Sequence, residues 1–133
     1  MNYALAYMVA AVSFLLLDFI WLGFVAKSFY RQEIGALLLD KFNMAAAIGF
    51  YLVFVVGVVI FAVLPALQAG SWKTALLYGA LFGFFTYATY DMTNLATLKG
   101  WSLSVTFVDI AWGTLLTGTA SLLGYAAART VSG

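Results

Sequence analysis

Residues Tyr3–Ala26 read YALAYMVAAVSFLLLDFIWLGFVA, an apolar run interrupted by one charge, Asp18. At 1.5 Å rise per residue such a run crosses the ~30 Å hydrocarbon core of a bilayer as one helix. It has no basic flank before it, and Asp18 stands where a signal peptide would be most apolar, so it reads as a retained span. Three more apolar stretches follow, at about 43–64, 74–98 and 102–128. Pro65 is expected to close the second. None alternates strictly, which disfavours a small β-barrel. The expected fold is an all-α membrane protein, a four-transmembrane-helix bundle filling residues 1–133 as one domain.

Composition agrees. Of 133 residues, 65% are hydrophobic and 8% charged, against roughly half and a quarter in soluble domains. A soluble chain this short could not bury so much apolar surface in one core. The chain lacks both cysteine and histidine, which removes disulfides, thiolate chemistry and the usual zinc and copper sites. Its net charge of +1 offers no basic field for nucleic acid. Membrane lipids are the partners its surface implies.

The loop Lys27–Phe42 carries Tyr30, Ile34, Leu37 and Leu38 on one helical face and Lys27, Arg31 and Gln32 elsewhere. It reads as a short interfacial helix after the first span, or as an extension of either neighbouring span. The other connections are short, with Gly70 and Gly100 as breakers. Four spans put both termini on one side. The face with the first and third loops holds Lys27, Arg31, Lys41 and Lys99, while the other holds Lys73 and Arg129. By the positive-inside rule the first face is cytoplasmic and the termini lie outside. The narrow margin also admits insertion in both orientations and an antiparallel homodimer. Tyr3, Tyr7, Trp72, Tyr78 and Tyr125 would belt the terminal side, and Phe29, Tyr30, Phe42 and Trp101 the other. Small residues, Gly79 and Gly83 in the third span and Gly113, Thr117 and Ser121 in the fourth, are the expected helix contacts.

Asp18, Asp91 and Asp109 carry the functional information. An ionised carboxylate inside a span costs at least ~2.5 kcal/mol. Asp18 and Asp91 lie about seven or eight residues before their spans end, and Asp109 about seven after its span begins. All three therefore sit roughly 10–13 Å below one membrane face, the face bearing the first and third loops. Trp21 and Trp112 each follow an acid by one turn, so each indole N–H has a carboxylate on its own helix face. Tyr87, Asn94 and Thr106 add donors and acceptors within one turn of Asp91 or Asp109. With no Lys or Arg in the spans, compensation must come from protons, a hard cation, a cationic substrate or an inward-bending Lys99. Asp18, Asp91 and Asp109 together would offer oxygen ligands suited to Mg²⁺, Ca²⁺ or Na⁺. The plain structural alternative is three protonated acids hydrogen-bonding across helices.

Asp18-Phe-Ile-Trp-Leu-Gly23, Tyr90-Asp-Met-Thr-Asn-Leu-Ala-Thr-Leu98 and Asp109-Ile-Ala-Trp-Gly113 make the chain resemble a bacterial family of small membrane proteins, domain of unknown function 2177. The resemblance implies the membrane location and these positions, and names no substrate. Three functions fit the residues. The first is a proton- or cation-coupled transporter of a small molecule. The second is an intramembrane enzyme acting on a lipid or isoprenoid, with carboxylates just beneath the headgroups as acid, base or metal ligands. The third is a non-catalytic assembly partner whose acids recognise another helix.

Overall fold

The computed structural model describes residues 2–132, which form helices and turns with no strand among them. Helix α1 spans Tyr3–Ile20 and runs on through a π-helical turn, Trp21–Val25. Helix α2 spans Lys27–Ile34. Helix α3, Met44–Val58, passes through a second π turn, Val59–Val63, into α4, Leu64–Ala69. Helices α5, Trp72–Thr97, and α6, Leu103–Ser132, complete the chain. It is an all-α membrane protein. Three of its helical runs, Tyr3–Val25, Met44–Ala69 and Leu103–Val131, are long and apolar enough to cross a bilayer. Helix α5 has comparable length, 26 residues, but its tyrosines, threonines and Asp91 make it more polar.

Short polar residues start the long helices. Asn2, Asn43, Ser71 and Ser102 each accept a backbone N–H three residues on, at 3.0–3.3 Å, satisfying donors that apolar surroundings would orphan. Two glycines supply the turns. Gly70 caps α4 at φ 63° and Gly100 turns α5 towards α6 at φ 77°, conformations that a Cβ disfavours.

One expectation needs correction. The helix does not stop at Pro65 but continues to Ala69. The π turn just before it bonds the Leu64 N–H to the Val59 carbonyl, five residues back. That wider turn accommodates a residue without an N–H, so the helical run passes through the proline instead of ending at it.

Helices α5 and α6 form the most extensive pairing in the bundle. The small residues expected at helix contacts meet here. A Cβ on Gly79 would strike Ser121 and the Thr117 carbonyl, and one on Gly83 would strike Thr117 and the Gly113 carbonyl. Ser121 also donates to the Ala75 carbonyl at 2.8 Å. Helix α1 packs on the other side of α6, with Ala6, Ala10 and Phe14 fully buried. Helix α5 meets the second run chiefly over Val59–Ala69. Its link to α3 is the Phe54–Phe82 stack, centroids 5.3 Å apart. Beyond Phe54, residues 44–53 of α3 include no buried side chain.

Candidate functional site

Where α3 departs from α5, a cavity of about 430 Å³ opens at the end of the bundle carrying the first and third loops. Its wall takes Asp18 and Leu22 from the α1 run, Tyr30 and Ile34 from α2, and Asp109 and Val105 from α6. Helix α3 supplies Phe50, Tyr51 and Phe54, and α5 supplies Thr86, Tyr87 and Tyr90. Trp101 closes one side. The lining holds two carboxyl groups, several phenols and no basic residue.

Asp18 is 5% exposed and accepts two hydrogen bonds. Tyr51 donates to Oδ2 at 2.8 Å and Trp112 Nε1 to Oδ1 at 3.0 Å. Asp109 accepts from the Tyr30 hydroxyl at 2.8 Å, and Tyr30 in turn accepts from Trp21 Nε1 at 3.2 Å. The indoles of Trp21 and Trp112 stack, centroids 4.5 Å apart and 9° from parallel. The two Trp–Asp pairs are therefore crossed. Each indole serves the acid of the other helix, Trp112 directly and Trp21 through Tyr30, where the one-turn spacing led to pairing within a helix. Trp21 still follows Asp18 in ordinary helical register, its N–H bonded to the Leu17 carbonyl, and Trp112 lies in unbroken α6, so the exchange comes from side chains reaching across to neighbouring helices.

Asp91 is fully buried in α5, and neither of its oxygens has a hydrogen-bond donor. The carboxyl of Asp109 on α6 is a neighbour of this group. Two carboxylates cannot be neighbours in apolar surroundings with both charges uncompensated, so this pair needs a shared proton or a cation. Among the described residues no three acidic side chains gather closely enough to hold a metal ion. The expected set of Asp18, Asp91 and Asp109 is thus split into one acid held by two neutral donors and one neighbouring pair. The common depth was a statement about height, and helix rotation separates residues at equal height.

Of the other expected residues, Tyr87 lines the cavity and its ring covers Gly113. Asn94 lies beside Tyr90 in the next turn of α5. Thr106 is buried but returns its hydroxyl to the Ser102 carbonyl at 2.9 Å, so it belongs to its own helix and not to the site. Most of the wall lies outside the expected set, and three of its polar or indole side chains stand out. Tyr51 is the one side chain in α3 able to hydrogen-bond, and that solitary polar tip was its signal. Tyr30, expected in an interfacial belt, faces inward. Trp101, expected in the same belt, lines the cavity with its Nε1 buried and unpartnered. Burial, followed by the charge of Asp109, pushes the Tyr30 phenol above its ordinary pKa. Tyr30 therefore remains a donor throughout the physiological range.

These features define a polytopic helical membrane protein with an acid-bearing cavity inside the apolar bundle. The chain belongs to the family described as predicted membrane protein (DUF2177), whose family model matches residues 3–126. Comparison with curated proteins and with solved structures finds no match.

Proposed function

We propose that this protein binds a small organic cation, an amine or quaternary ammonium, in the cavity and exchanges it for protons as a carrier. The observation that carries this reading is the lining. Asp18 and Asp109 both line the cavity, their hydrogen-bond donors are neutral, and the lining is rich in aromatic residues and holds no basic one. Desolvated carboxylates next to phenol and indole rings favour a bulky, weakly hydrated cation over a small, strongly hydrated one. A cavity of about 430 Å³ suits a ligand of that class. The neighbouring Asp91 and Asp109 provide the group whose proton content changes as the ligand's charge arrives.

The carrier is proposed to cross the inner membrane of a bacterium four times, with α5 as the third span in chain order beside the three more apolar runs. Support comes from its length of 26 residues, about 39 Å at 1.5 Å per residue, and from its close packing on α6. The loop charges favour α2 on the cytoplasmic side with the termini outside. An enzyme acting on a phosphorylated lipid or isoprenoid is less well supported, because the lining offers no Lys or Arg to a phosphate.

The test is titration of purified protein with benzyltrimethylammonium by calorimetry at several pH values. Affinity is expected to rise with pH, because protons and the cation compete for the same carboxylates. Asp18→Asn and Asp109→Asn should each weaken it by about tenfold or more, the cost of losing a charge-assisted contact. In liposomes, ligand-driven proton flux should disappear with the same variants. Equal affinity in the wild type and in the double variant would sink the reading.

A further inference from the structure

The cavity has two boundaries of different kinds. Towards the loop end it is roofed by α2. Ile34 is 7% exposed, Tyr30 is tied to Asp109, and the charged or amide side chains Lys27, Arg31, Gln32 and Glu33 are exposed on the outer surface. Sideways, between α3 and α5, nothing comparable closes it. The lining residues Phe50, Tyr90 and Leu22 are 62%, 54% and 43% exposed, whereas Asp18, Phe54 and Val105 at its floor are buried. The rim is thus apolar and aromatic, at the level of the acids, on a surface surrounded by lipid. A molecule dissolved in the leaflet meets an open side.

We propose that the ligand is a single-chain amphiphilic ammonium that enters laterally from the leaflet between α3 and α5, its cationic head at Asp18 and Asp109 and its chain leaving past Phe50 and Tyr90. The inference rests on the cation-binding reading and adds the chain, the side of access and the role of α2 as roof. Charge complementarity selects the head. The apolar rim selects the chain, since methylenes leaving lipid for Phe50 and Leu22 lose no favourable surroundings, while a second polar group would. A single chain is proposed because about 430 Å³ has room for the head and part of one chain.

The experiment uses the full chain in lipid nanodiscs. The probe is a long-chain alkyltrimethylammonium carrying a photoreactive diazirine on its chain. A matched alcohol with the same chain is the neutral control, and soluble tetramethylammonium is a chainless competitor. The ammonium probe is expected to label peptides containing Leu22, Phe50 and Tyr90 about tenfold or more above the alcohol. Asp18→Asn and Asp109→Asn should remove that excess. An unlabelled long-chain ammonium should compete at about one tenth or less of the tetramethylammonium concentration, because its chain is also held. This competition arm needs no variant to fold. Equal labelling by alcohol and ammonium, or labels concentrated on α2, would overturn lateral access. Tetramethylammonium competing as well as the long-chain cation would leave the cation site standing and remove the amphiphile. Failure of every cation to bind would remove the underlying reading as well.

Discussion

The α5–α6 seam and the α3–α5 gap lie in one bundle and obey opposite rules. At the seam, Gly79 and Gly83 bring two backbones so close that a single methyl has no room. At the gap, α3 from Met44 to Val53 presents ten successive residues, none buried, to lipid and to the cavity. Lipid is as apolar as leucine, so apolar side chains alone give two membrane helices no reason to meet. Small residues and hydrogen bonds decide which pairs do. The seam has both, with Ser121 bonded to Ala75. The first half of α3 has one hydrogen-bonding side chain, Tyr51, and it is directed to Asp18 on α1, not to α5. Absence of adhesion is what leaves a cavity.

This contrast can be broken most forcefully at Gly83. Gly83→Val should destabilise the bundle by about 3 kcal/mol or more, since both obstacles are on α6 and one is backbone. Thermal unfolding in detergent measures it, and an unchanged midpoint would refute the seam. Next in size is ligand binding after Asp109→Asn. Affinity for an organic cation should fall by about 10–100-fold, while the unfolding midpoint changes little because the amide can donate to the neighbouring Asp91. A large stability loss with binding intact would move Asp109 from the site to the scaffold. Tyr51→Phe should cost about 0.6–1.7 kcal/mol, the range for interhelical hydrogen bonds in membranes, and should weaken cation binding by altering the hold on Asp18. Phe50→Ala, on the open side of the gap, should shift stability by no more than about 0.5 kcal/mol. A cost near that of Gly83→Val would mean that α3 and α5 adhere after all. Each variant thus reads one side of the comparison against the other.

The glycine and serine positions of the seam were legible in the chain because small residues at one-turn spacing carry their own geometric meaning. The acids were legible as well, since a carboxylate in an apolar run is costly enough to demand a role. The partnerships among them were not. Spacing along one helix paired Trp21 with Asp18 and Trp112 with Asp109, and side chains reaching between helices exchanged the partners. No stretch of one helix contains the neighbour that its side chains will meet. The path through Pro65 was hidden for another reason, because the compensating π turn at Val59–Val63 lies before the proline and nothing local distinguishes it from ordinary helix in a run of apolar side chains.

By itself, the sequence determined what the chain can dissolve in, where its helices begin, and at what height its acids stand. Those are properties of one helix at a time, governed by transfer energies, capping and rise per residue. Only the tertiary structure decided that Asp18 stands with Tyr51 and Trp112, that Asp91 neighbours Asp109, and that α3 stands off from α5 to leave a cavity between them. These depend on how each helix is rotated against its neighbours. Rotation about a helix axis inside an apolar bundle is set by close packing across helices, which no stretch of the chain contains alone.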